Sequence, residues 1–386
     1  MTNPRKTTGQ RRSSGSPRGK PARKQAKRAA AGLIPADLES WLPFPVHGAV
    51  HLPDLDVISY NLELRARGKF IGDMASRAAF SKRMDAWRAI ARKRGKDPFG
   101  RTPTAELSKK KLNRVLQHGD PDAAGIIQSA IDDFARALVE VIRRFRRHAW
   151  QHIDRIVVGG GFRDGRLGEL AIGRAQSLLR EQGLPIELQP IRHHPDEAGL
   201  VGVVHLVPTW MLRGFGSMLA IDIGGSTIRC GLVKFKINGK GGFRNASVAY
   251  ASQWHHRDDD ASRRDIINEL VDMLRSALAA ARKQGISVSP IVGIGCPGRI
   301  EIDGSITRGA QNLPGDWEGP KFHLPSVIGN RLGRIGDHRP VVIMHNDAVI
   351  QGLSALPVMG DDAQWGVLTI GTGLGNAAFA QPAKAE

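Results

Sequence analysis

Two segments constrain this chain more than any others: IDIGGSTIRCG (221–231) and LTIGTGLGNAA (368–378) each read as strand, glycine turn, strand. Glycine at a hairpin tip accepts positive φ and lets the backbone approach an anion, so consecutive N–H groups can cradle a phosphate. Alone, either segment is an ordinary hairpin tip. Together they can grip a polyphosphate from opposite sides, which requires a sheet behind each. The second hairpin falls close to Glu386, and its sheet is expected to be built with strands from the first half of the sequence.

The intervening sequence alternates helix and strand patterns, as α/β proteins do. AAFSKRMDAWRAIARKRG sets charged residues around Met84, Trp87 and Ile90 at helical spacing, its positive face expected in solvent. Asp120 or Asp122 opens a long amphipathic helix with Pro121 in its first turn; Ile126, Ile127, Ile131, Phe134, Leu138 and Ile142 line one face. IDRIVVGGGF then reads as an apolar strand entering Gly159, Gly160 and Gly161. RLGELAIGRAQSLLREQG, IELQPI and PDEAGLVGVVHL continue as helix, strand and helix. After the first hairpin come a third strand in SVAYASQW and an amphipathic helix in RRDIINELVDMLRSALAAARKQG. IVGIGCPG is a buried strand, and VVIMHNDAVIQGLSAL a strand leading directly into a helix.

The 386 residues suffice for two domains or one two-lobed enzyme. No apolar run approaches the roughly eighteen residues of a membrane span, and the N-terminus lacks the apolar stretch of a signal peptide. Cys230 and Cys296 are the two cysteines, each in an apolar strand pattern, which fits a reducing, cytoplasmic setting without disulfides. Much of the net charge of +19 comes from residues 1–32, which carry ten Lys and Arg and no acid. That composition predicts a disordered basic tail with nonspecific affinity for polyanions.

Chemistry concentrates at the turns. Ser226, Thr227 and Thr372 offer hydroxyls beside the glycines, Arg229 a guanidinium for phosphate, and Asp222 a carboxylate that could hold Mg²⁺ through water. Asn346 and Asp347 stand at the carboxyl end of an apolar strand, where open α/β sheets bind ligands; a carboxylate there can take a proton from an attacking hydroxyl, or simply cap the helix. In NLPGDW, Asn312 can bind hydroxyls and Trp317 can offer an apolar wall.

DIGGSTIR, GIGCPGRIEIDGSITRGAQNLPGDW, HNDA and TIGTGLG, in that order, resemble the first phosphate motif, sugar loop, catalytic segment and second phosphate motif of ROK-family sugar kinases, in the actin/hexokinase/Hsp70 superfamily. The resemblance implies a two-lobed ribonuclease H-like (actin-like ATPase) α/β fold. It makes Asp347 the general base and gives Asn312, Asn346 and Asp347 to the sugar. Gly224, Gly225, Ser226, Thr227, Arg229, Gly371, Thr372, Gly373 and Gly375 would surround the phosphates, with Asp222 organising Mg²⁺. ATP or polyphosphate would be the phosphoryl donor and a hexose or amino sugar the acceptor.

Residues 120–206 resemble the part of a ROK kinase that normally follows the second phosphate motif, so the order is rotated. Gly159, Gly160 and Gly161 would then approach the adenosine. The expected organisation is a circular permutation: tail 1–32, a second lobe from 33–190 plus 364–386, and a first lobe from 191–363. Such a rearrangement preserves core contacts when the joined ends lie close together. The alternative is an unrelated N-terminal domain followed by a truncated lobe with an open sheet edge. The family's closely spaced cysteines and Gly-Glu-x-Gly-His segment do not occur, so no structural zinc is expected. His47, His51 and Glu63 are candidate substitutes on the sugar side. A sugar-sensing regulator or an inactive sugar- or nucleotide-binding protein is the competing function, although residues 1–32 lack the apolar positions of a helix-turn-helix. The oligomeric state stays open, a homodimer included.

Overall fold

The computed structural model describes residues 45–66, 68–237, 242–359 and 362–381. The predicted tail and the expected start of folded sequence near Leu33 lie outside these residues. Among the described residues, fourteen strands and eight α-helices follow in chain order. β1 (Asp56–Tyr60), β2 (Arg65–Ala66) and β3 (Lys69–Phe70) precede α1 (Arg77–Arg94), α2 (Lys109–His118) and α3 (Pro121–His148). Next come β4 (Arg155–Gly159), α4 (Arg166–Glu181), β5 (Glu187–Pro190) and α5 (Pro195–Val201). The second stretch holds β6 (Ser217–Ile223), β7 (Ile228–Ile237), β8 (Phe243–Trp254), α6 (Arg263–Lys283), β9 (Val288–Cys296), β10 (Arg299–Ile300) and β11 (Ile306–Arg308). It closes with α7 (Leu324–Leu332), β12 (Val341–Asn346), α8 (Asp347–Leu353), β13 (Gln364–Ile370) and β14 (Leu374–Ala380).

Two five-stranded sheets carry the fold, ordered β5-β4-β13-β14-β1 and β12-β9-β6-β7-β8. In the second, β12, β9 and β6 run parallel while β6, β7 and β8 are antiparallel. The first repeats this arrangement strand for strand. β5, β4 and β13 are parallel, and β13, β14 and β1 are antiparallel. The C-terminal hairpin therefore takes the place in its sheet that the Asp222 hairpin takes in the other, with Val367 opposite Val157 and Leu368 opposite Val158. Chain order in the second sheet is β6, β7, β8, β9, β12; the first sheet matches it only when read from β13 and β14 onward to β1, β4 and β5.

Three apolar clusters explain the layering. α1, α3 and α4 cover one face of the first sheet, with Phe134, Leu138 and Ile142 fully buried; Asp120 accepts from the Ala123 N–H and starts α3 ahead of Pro121. α6 and α7 cover the outer face of the second sheet, and a Ser262–Asp265 capping box starts α6. The middle cluster joins both sheets through α5 and α8. Their approach needs glycine: a Cβ on Gly202 would fall 1.8 Å from the Ile350 carbonyl oxygen, and one on Gly199 2.4 Å from Asp222 Cγ.

α1 departs from the sequence reading. Met84 is buried, but Ile90 is 43% exposed and Arg88 takes the interior position. A charge can occupy that position because it is saturated: Arg88 donates to Asp97, Thr104 Oγ1 and the carbonyls of Gly100 and Thr102. Trp317, expected as a ligand wall, is instead buried against Phe322 with its indole N–H on the Pro314 carbonyl. Cys230 and Cys296 are buried free thiols whose pKa burial pushes up.

Candidate active site

The three parallel strands of the second sheet end together. Register pairs Asp222 with Gly295 and Asn346 with Cys296, so β6, β9 and β12 bring Asp222 and the Asn346–Asp347 step to one edge. Asn346 is the N-cap of α8: its Oδ1 accepts from the Ala348 N–H at 3.0 Å and its Nδ2 donates to the Gly298 carbonyl at 2.9 Å. Both ends of this buried amide thus hold the local backbone. Asp347 follows as the first helical residue. Burial, and then the nearby Asp222 charge, raise its pKa to about 7, against the opposing pull of the Ala348 N–H.

Asp222 is buried, and burial raises its carboxyl pKa while Arg229 opposes the rise. Arg229, expected on phosphate, reaches Asp222 at 3.2 Å and Asp196 at 2.6 Å. Its guanidinium therefore bridges two carboxylates. No group of three or more His, Cys, Asp or Glu side chains able to hold a metal ion occurs among the described residues.

The two glycine turns converge on Asn312. A Cβ on Gly225 would lie 3.0 Å from Asn312 Cβ, and one on Gly373 3.7 Å from Asn312 Nδ2. In the first turn the Gly224 N–H closes on the Thr227 carbonyl at 2.9 Å, with Ser226 partly exposed at its tip. In the second, the Gly371 N–H meets the Gly373 carbonyl at 2.9 Å, with Thr372 between them. Gly375 has a packing role here: a Cβ there would fall 2.3 Å from Thr369 Oγ1.

Gly159, Gly160 and Gly161 lie at the end of β4 beside this second turn. Gly160 has φ of 82°, and a Cβ on it would fall 2.4 Å from the Ile370 carbonyl oxygen. The Gly160 N–H donates to Gln351 Oε1 of α8 at 3.2 Å, and the Gly161 carbonyl accepts from Lys109.

Two supporting residues escaped the sequence reading. Gln351 ties the helix that carries Asp347 to the Gly160 turn. His345 accepts the Asn346 N–H at Nδ1 (2.7 Å) and donates from Nε2 to the Ala49 carbonyl (3.0 Å). Full burial lowers its pKa to about 4, so it is neutral and orients the backbone just before Asp347. Helical position three or four residues after Asp347 was the available clue to Gln351; for His345 there was none, because its partner comes from residue 49. Of the candidate sugar-side substitutes, His47 accepts from the Met344 N–H, His51 pairs with Asp56, and Glu63 pairs with Arg65.

No protein-family profile matches the chain, and no curated protein matches it in sequence. Solved structures do. A ROK hexokinase from Thermus thermophilus is 21% identical over 42% of this chain and 45% of its own, with a TM-score of 0.28. A ROK-family glucokinase from Streptomyces griseus, solved with glucose and AMPPNP, is 22% identical over 44% and 46%, with a TM-score of 0.29. An exopolyphosphatase from Cytophaga hutchinsonii is 16% identical over 42% and 51%, with a TM-score of 0.24. The chain thus spans about half the length of these structures. It is a mixed α/β protein, and the structures similar to it include ROK-family sugar kinases.

Proposed function

We propose that this protein is a sugar kinase that transfers the terminal phosphate of ATP, or of polyphosphate, to a hydroxyl of a hexose or amino sugar, with Asp347 as general base. The observation that carries this reading is geometric: Asp347, its pKa raised by burial, stands at the ends of three parallel strands, on the edge where Asp222 leads into the first glycine turn, and that turn meets the second at Asn312. A base poised near neutrality accepts a hydroxyl proton as that oxygen attacks phosphorus, and most of the remaining catalysis is alignment of donor and acceptor.

Asn312 and the second amide hydrogen of Asn346 would take sugar hydroxyls. The Gly224–Thr227 and Gly371–Gly373 turns would surround the phosphates, and Gly159–Gly161 the adenosine side. Mg²⁺ commonly keeps several waters and takes few protein ligands beyond substrate phosphates, a requirement that Asp222 alone fits. When bound, the ion would neutralise phosphate charge. Arg229 would hold Asp222 in place rather than contact phosphate.

A circularly permuted, two-lobed actin-like fold goes with this function, with lobes at 33–190 plus 364–386 and at 191–363. The matching topologies of the two sheets, whose strand orders agree only after rotating that of the first, support it. Hydrogen bonds from Gly48 N to the Met344 carbonyl and from His345 to the Ala49 carbonyl tie the start of the described chain to β12.

The test is to incubate the protein with Mg²⁺, ATP or polyphosphate, and a panel of hexoses and amino sugars. Phosphorylation should rise through pH 7 as Asp347 loses its proton, and Asp347→Asn should abolish it. Absence of turnover with every sugar, combined with DNA binding, would instead favour a sugar-sensing regulator.

A further inference from the structure

The three residues after β8, His255, His256 and Arg257, lie outside every motif considered above, yet each contacts the first glycine turn. His256 is buried, with Nε2 3.0 Å from the Gly224 carbonyl oxygen. Arg257 Nη2 donates to the Gly225 carbonyl at 2.8 Å. His255 Nδ1 lies 2.9 Å from Thr227 Oγ1. Consecutive side chains thus grip the turn residue by residue.

In a planar trans peptide the carbonyl of one residue and the N–H of the next point in opposite directions. Holding the Gly224 carbonyl toward His256 turns the Gly225 N–H away from it, and holding the Gly225 carbonyl toward Arg257 does the same for the Ser226 N–H. Among the described residues neither N–H has a protein acceptor. Gly225 also approaches Asn312 and, through it, the second glycine turn. A turn of two glycines would otherwise sample many conformations, and fixing them beforehand reduces the ordering that an anion must impose on binding.

We infer that His256 and Arg257 are positioning residues for phosphate recognition: they hold the carbonyls of Gly224 and Gly225 so that the Gly225 and Ser226 amides present themselves to the phosphoryl donor. This rests on the phosphate role given to that turn under the proposed function.

The experiment measures binding of magnesium tripolyphosphate by calorimetry, without sugar, to the wild type and four variants. His256→Phe keeps ring bulk but loses the donor, and Arg257→Ala removes the guanidinium from an exposed position; each should weaken binding roughly tenfold, the scale of one lost hydrogen bond to a fixed carbonyl. His256→Gln and Arg257→Lys retain a donor and should recover most of the affinity. In turnover, KM for the phosphoryl donor should rise while KM for the sugar stays unchanged. Equal tripolyphosphate binding by Arg257→Ala and wild type overturns the inference, as does a parallel loss of sugar affinity and thermal stability without rescue by the conservative variants. A wild type that binds no tripolyphosphate overturns both this inference and the kinase reading. Variant-dependent binding without phosphorylation of any sugar removes only the kinase reading.

Discussion

Replacing Asp347 by Asn should make the protein more stable, and by an amount that depends on pH. The folded carboxyl has a pKa of about 7 against an ordinary value of 3.8, a displacement of about three units. Because the folded pKa is raised, the folded state keeps its proton where the unfolded chain has lost it. The associated stability is fully present below about pH 4 and is lost as pH rises toward 7, at about 1.4 kcal/mol per unit. The accumulated loss above pH 7 is about 4 kcal/mol. Asn has nearly the same shape and no charge, so it does not incur this loss. Urea unfolding of both proteins should give similar stabilities near pH 4, and at pH 8 the Asn variant should exceed wild type by several kcal/mol at unchanged m-value. Because the Asp222 charge is one cause of the rise, the difference includes relief of the repulsion between the two carboxylates. Parallel pH profiles would refute the assignment of a strained, protonated carboxyl, and with it the physical basis for a base poised at neutrality.

Two substitutions away from the reacting groups test the packing that supports them. Arg88→Met should destabilise by about 3–5 kcal/mol in chemical denaturation, because it leaves the buried Asp97 carboxylate with only the exposed Arg92 as cationic partner. Gly202→Ala should cost about 1–3 kcal/mol and also lower turnover, since the new methyl group meets the Ile350 carbonyl and must displace the helix that begins at Asp347; thermal melts and kcat at saturating substrate measure the two effects.

What the sequence made legible depended on how local the cause was. The helices with strong caps and periodicity, such as α3 and α6, form where their residues predict, because N-caps and apolar stripes act within a few turns. The glycine turns were legible for the same reason, as was the step from β12 to α8. Arg88 was read as a solvent-facing residue because its four partners come from the loop at 97–104, which no helical pattern encodes. Trp317 was misplaced likewise, since its burial depends on Phe322 and on the apolar cluster that it joins. The 255–257 contacts are legible only once β7 and β8 pair and bring the end of β8 back beside the turn that begins β7.

The repeated sheet topology also sets apart the one carboxylate proposed as base. Each sheet sends its last parallel strand toward a short helix of the middle layer: β5 toward α5, where Asp196 stands in the first turn, and β12 into α8, where Asp347 does. Asp222 lies near both helices and would repel either carboxylate. Arg229, paired on β7 directly across from Asp222, reaches Asp196 as well, and opposes the rise that burial imposes on Asp222. Asp347 receives no such cation; only backbone N–H groups pull its pKa down, while burial and Asp222 push it up. Two differences therefore separate the topologically matching positions: Asp347 is raised by burial and by Asp222, whereas Asp196 is partly exposed and paired with Arg229. The pair of carboxylates also accounts for the position of Arg229, which serves them instead of the phosphate that its sequence position suggested.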